Sequence, residues 1–121
     1  MWLRRVPDSY AAWRDRLAGA NDPAFMPIEE IDRKLAEGQA QFWCDGHAAL
    51  VTEIVRHPGG AVTVDSLAAA GRRKSLTNVI EPAVSQWAAP FATHLRIIGR
   101  PGWQRVWREW THEQSILTKA L

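Results

Sequence analysis

Three strand-like segments, one helical stripe and a fourth strand-like segment follow one another from Gln39 to Ile98, and this order constrains the fold most. Gln39 to Cys44 alternates as a strand does, Asp45-Gly46 is a strong two-residue hairpin signal, and His47 to Val55 continues as a longer strand. Arg56-His57-Pro58-Gly59-Gly60 supplies a second turn. Ala61 to Leu67 then gives a third strand, with Val62, Val64 and Leu67 facing inward. Strands joined by short turns pair most economically as a meander. After Ala68-Ala69-Ala70-Gly71 the period changes. Leu76, Val79, Ile80, Ala83, Val84 and Trp87 recur every three and four residues, which predicts a helix with one buried stripe. Pro82 lies inside that pattern, so the helix either kinks there or begins nearer Glu81. His94 to Ile98 is again strand-like. With a helix in between, this strand is predicted to lie parallel to the third through a right-handed crossover.

The residues ahead of the strands read as two helices. Asp8 or Ser9 caps the first, whose apolar positions are Tyr10, Trp13 and Leu17, with Gly19 closing it. Asn21-Asp22-Pro23 is a loop. Pro27 opens the second helix, Glu29 and Glu30 sit near its positive end, and Ile28, Ile31 and Leu35 form its stripe up to Gly38. At the other end, Gly99-Arg100-Pro101-Gly102 breaks the fourth strand and Trp103 to Trp110 reads as a short helix. Ser115 to Leu121 is a last strand, so the order is ααβββαβαβ.

A chain of 121 residues suits one domain, residues 1–121, with one core. Hydrophobic residues make up 46% and charged residues 23%, an ordinary globular balance. No apolar run approaches the ~20 residues of a membrane span. The start, MWLRRVPDSY, lacks the apolar stretch of a secretion signal. Cys44 is the single cysteine, which excludes an internal disulfide and a multi-cysteine metal site, and it reads as a small buried filler. The net charge is +2; Arg4-Arg5 and Arg72-Arg73-Lys74 are the basic clusters, too short to indicate nucleic-acid binding. His47, His57, His94 and His112 are scattered without metal-ligand spacing, and no Gly-x-Ser-x-Gly elbow is present.

The element order, together with Ala40 to Val55 (AQFWCDGHAALVTEIV), His94 to Trp110 (HLRIIGRPGWQRVWREW) and Ser115 to Leu121 (SILTKAL), resembles the GNAT acetyltransferase superfamily. The likeness is closest to short GNAT-like proteins encoded by phages and prophages. It implies an α/β (α+β) single domain with a mixed central sheet of about five to six strands, a splayed parallel pair and flanking helices. It also implies acetyl-CoA in the gap between the parallel strands, with the Trp103 to Trp110 helix covering one side.

The family's phosphate loop follows Gln/Arg-x-x-Gly-x-Gly/Ala. Aligned on Gly71, this chain reads Ala68-Ala69-Ala70-Gly71-Arg72-Arg73, keeping the central glycine but neither flanking residue. The resemblance places the pantetheine arm along Val64, Asp65 and Leu67, and the phosphates at Gly71, Arg72, Arg73 and Lys74. As general base it implies a strand carboxylate, Glu53 or Asp65; each also reads as a solvent-face residue of a half-exposed strand. The tyrosine that many members use as acid is missing, since the only one is Tyr10 on the first helix.

Two functions follow. One is acetyl transfer from acetyl-CoA to an amine. The other is a non-catalytic virion-assembly or virion protein whose tryptophans serve contacts with phage structural proteins or with itself. The expected location is the cytoplasm of a bacterial host, or the virion.

Overall fold

The computed structural model describes residues 8–20, 26–98, 111–113 and 116–121. Helix α1, Asp8–Ala20, buries Tyr10, Trp13 and Leu17 along one side. Helix α2, Ile28–Ala36, follows Pro27 and buries Ile31 and Leu35. It ends as its glycine predicts: Gly38 takes φ +73°, Gly38 N–H donates to Leu35 O (3.1 Å), and Gln39 N–H donates to Lys34 O (2.7 Å).

Six strands form one mixed sheet: β1 Ala40–Cys44, β2 Ala48–Arg56, β3 Val62–Gly71, β4 His94–Ile98, β5 Thr111–Glu113 and β6 Ile116–Ala120. Their order across the sheet is β1-β2-β3-β4-β6-β5. Every pairing is antiparallel except β3 with β4, which is parallel across the helical crossover. The architecture is therefore mixed α+β, as expected. Helices α1 and α2 cover one face, where Tyr10, Leu17, Ile31 and Leu35 pack with Ala49, Val51 and Ala68. The crossover helix α3, residues 73–88, covers the other, where Leu76, Ile80, Val84 and Ala88 pack with Leu50, Val64, Leu95 and Ile97.

Helix α3 handles Pro82 without a break. It has a first α turn at Arg73–Ser75, a wide π turn at Leu76–Ile80 and an α segment at Glu81–Ala88. Glu81 N–H reaches back to Leu76 O, five residues away. In a regular α-helix the Pro82 ring would press on the carbonyl of Asn78, so the wider turn relieves that clash. The buried stripe runs through 76, 80, 84 and 88; Val79 (51% exposed) and Ala83 face away from the core, contrary to the periodicity.

Other departures are local. The first hairpin turns at Gly46-His47 rather than Asp45-Gly46, so His47 lies outside β2. Asp45 N–H donates to Ala48 O (3.3 Å), Asp45 Oδ1 accepts from the N–H groups of His47 and Ala48 (2.9 Å each), and Gly46 supplies φ +89°. Cys44 is exposed, not a buried filler. Strand β3 runs four residues past Leu67, because Ala68 to Gly71 continue the ladder with β2. Opposite Val51 and Thr52 the register skips Leu67, a β-bulge; Leu67 packs on the α1–α2 face rather than with Val62 and Val64, as alternation requires, and the bulge sets Ala68 on that same face. Strand β5 has no counterpart in the sequence reading. The expected helix at Trp103 to Trp110 and the Gly99-Arg100-Pro101-Gly102 break lie outside the described residues, as does the Asn21-Asp22-Pro23 loop. Among the described residues, no helix is long and apolar enough to cross a membrane.

Candidate functional site

The β3–β4 pairing begins at Thr63 with His94 and stops at Ser66 with Ile97, whereas β3 continues through residues 67–71 alongside β2. The bulge at Leu67 follows directly on the last β3–β4 pair, and β4 ends at Ile98. A bulge locally bends and twists its strand.

One row of the sheet carries both candidate bases. Glu53 on β2 is in register with Asp65 on β3, and Asp65 with Arg96 on β4. Like charges directly opposite across strands destabilise a sheet, and here each acid faces its own cation. Glu53 Oε2 accepts from Lys34 Nζ of α2 at 2.8 Å. Asp65 is only 3% exposed and accepts from Arg96 Nε (2.9 Å) and Nη2 (2.6 Å), a two-point clamp. Thr63 Oγ1 donates a third bond to Asp65 Oδ1 (2.8 Å) and lies 2.9 Å from His57 Nε2. The bond to Asp65 also raises the Arg96 pKa above its usual value. The solvent-face reading of Asp65 is thus corrected, since the carboxylate is buried and occupied. A general base needs a lone pair aimed at the proton it takes, and Asp65 spends its oxygens on three internal donors.

Tyr10 is similarly committed. Its hydroxyl donates to Asp32 Oδ1 (2.6 Å), while Arg14 clamps the same carboxylate through Nε (3.0 and 3.1 Å) and Nη2 (2.7 Å). Burial and the bond to Asp32 push the phenol well above its usual range, and the Arg14 guanidinium holds Asp32 below its own.

Of the expected cofactor residues, Val64 is buried in the α3-side core, and both it and Asp65 lie where β3 is paired to β4. Leu67 is the bulge, and Gly71 ends β3 with φ +103°. A Cβ at Gly71 would stand 2.5 Å from Ala48 Cα and 2.5 Å from His47 O, so the approach of β2 alone demands glycine here. Arg72 is the single residue between β3 and α3, and its N–H donates to His47 O at 3.0 Å. The expected loop at Ala68 to Arg73 is strand as far as Gly71: the amides of Ala68, Ala70 and Arg72 face β2, with Arg72 N–H bonded to His47 O, whereas those of Ala69 and Gly71 face away from β2. Arg72, Arg73 and Lys74 are exposed at the start of α3.

Sequence reasoning missed Glu81, Arg96 and Lys119. Glu81, 6% exposed, accepts from Lys119 Nζ of β6 (2.6 Å) and Ser85 Oγ (3.1 Å). It borders a cavity of about 10 Å³ beneath the parallel pair, shared with Leu50, Val64, Ser66, Leu95 and Ile97, with room for about one water. The available signal was spacing: Glu81 falls three and seven residues before Val84 and Ala88, on the buried stripe. Among the described residues, no three His, Cys, Asp or Glu side chains group as a metal site would require. No family model, curated protein or solved structure matches the chain.

Proposed function

We propose that this chain is a diverged GNAT-like protein of the phage-encoded kind that works through protein–protein contacts rather than by acetyl transfer. The observation that carries this reading is the ion-paired state of both candidate bases, Glu53 with Lys34 and Asp65 with Arg96, each of which would have to give up a cation before accepting a proton. The strand-to-helix junction supports the same reading: the chain stays extended beside β2 as far as Gly71, and Arg72 N–H is bonded to His47 O. The GNAT-like assignment itself draws support from the sheet order and from the one parallel pair, β3 with β4, among the described strands.

A second reading, an acyl-CoA-dependent N-acetyltransferase, is favoured by the parallel β3–β4 pair and by the exposed Arg72, Arg73 and Lys74 just past the end of β3. Thermal unfolding with millimolar acetyl-CoA separates the two. A ligand present at ~100 times its Kd stabilises by about 2.7 kcal/mol, worth roughly 10 °C in a domain of this size. We expect no shift. A shift of several degrees that the double change Arg72→Glu and Arg73→Glu abolishes would overturn the non-catalytic reading.

A further inference from the structure

We propose that two copies of this chain pair antiparallel through the outer edge of β1, about a two-fold axis at Phe42, to make one continuous sheet. Strand β1 ends the sheet on one side. Asp45 N–H donates to Ala48 O across the first turn, so the residues of β1 bonded to β2 are Asp45, Trp43 and Gln41 in alternation. Ala40, Phe42 and Cys44 consequently direct their N–H and C=O groups outward, and no strand among the described residues receives them. Natural edges are blunted by charge, proline or bulges. AQFWC has none of these, and its five residues pair with β2 without a register shift.

Register arithmetic selects a second copy as the occupant. The outward residues are 40, 42 and 44, symmetric about 42. An antiparallel pairing centred on Phe42 sets Phe42 against Phe42, and Ala40 against Cys44 of the second copy. All six outward N–H groups of the two strands then find carbonyls. Centring on Gln41 or Trp43 engages only four within the strands, so the Phe42 register is preferred.

The surroundings fit that register. Strand β2 outruns β1, continuing from Glu53 to Arg56 after the pairing ends at Ala40. This leaves a groove of about 370 Å³ lined by Gly38, Gln39, Gln41, Glu53, Ile54 and Arg56. The Phe42 register brings the Asp45-Gly46-His47 tip of the second copy to Gly38 and Gln39, over this groove, with an acid on the tip and Arg56 in the wall. On the α3 side, Trp43 would lie against Gln41 of the second copy. It is held by edge contact with Trp87 (5.2 Å between rings), which in turn meets Phe91 (4.9 Å). Rigid aromatic surface beside a seam is what protein interfaces favour. The inference is independent of whether the β3–β4 side of the sheet holds a ligand.

Analytical ultracentrifugation of the full chain tests it. The parent should show a concentration-dependent species of twice 13.6 kDa. Cys44→Pro removes an outward N–H and leaves the β1–β2 ladder intact. It should weaken association by at least ~10-fold through two lost bonds per dimer. Cys44→Ala should associate like the parent, which also removes any disulfide explanation. In the parent, amide exchange at Ala40, Phe42 and Cys44 should slow as concentration rises. A parent that stays monomeric at every attainable concentration overturns the proposal, as does a Cys44→Pro dimer as tight as the parent's. Concentration-independent exchange at Phe42 would do so even if Cys44→Pro failed to fold.

Discussion

Replacing Asp65 by Ala should be among the most damaging single changes in the chain. The carboxylate is 3% exposed and receives two bonds from Arg96 and one from Thr63. Its removal strands the Arg96 side chain, itself only 22% exposed, beside a cavity with no counter-charge. Breaking a buried pair from one side costs about 3–5 kcal/mol. Because Arg96 retains some contact with water, we take the lower end, about 3 kcal/mol, equivalent to roughly 12 °C in Tm. Urea unfolding followed by tryptophan fluorescence reads this as a shift in midpoint at constant slope. The control is the double change Asp65→Leu with Arg96→Met, which removes both charges and should recover most of the loss. A loss below about 1 kcal/mol for Asp65→Ala would refute the claim that this pair is desolvated and structural. The same residue would then be open to the chemistry we argue it has lost.

Two further predictions concern other parts of the fold. Arg14 holds Asp32 below its usual 3.8, so the unfolded chain takes up that proton first; the stability Asp32 contributes is present above this value and fades as pH falls through it. Tyr10 is raised above its usual 10.0, so its contribution is complete below pH 10 and is lost as pH climbs beyond it. Urea midpoints across pH should show both limbs; an Asp32→Asn variant with an unchanged acid limb would contradict the assignment. Gly71→Ala should cost about 3 kcal/mol, from a positive φ and a Cβ set against the backbone of β2. Any loss under about 1 kcal/mol, measured by chemical denaturation, would mean that the junction yields.

Much of the layout was legible because period and punctuation agree. Tyr10, Trp13 and Leu17 mark α1, Gly38 closes α2, and a helix between two strands leaves little choice but a parallel crossover. What was hidden depends on pairing at a distance. Ala68, Ala69 and Ala70 have no strand preference of their own and read as the end of β3, yet the β2 ladder keeps them extended. The bulge at Leu67 resets the in-and-out alternation, so Ala68, which counting from Val62 and Val64 places on the α3 side, packs beside Leu67 on the α1–α2 face. Strand β5 is three residues long and defined by β6, which gives it no pattern of its own. The acids at Glu53 and Asp65 were visible as strand acids. Their cations were not, because Lys34 and Arg96 reach them from 19 and 31 residues away, through a helix and a crossover that must first be built.

The sheet separates two apolar clusters, each closed by its own helices, and this gives the molecule two seams. Lifting α1 and α2 uncovers Ala49, Val51 and Ala68 while Leu50, Val64 and Leu95 stay sealed under α3. Such a partial opening exposes less surface than complete unfolding, so it happens more often. Amide exchange is therefore expected to be faster in α1 and α2 than in the crossover helix α3, and equal protection on both sides would contradict this order of opening.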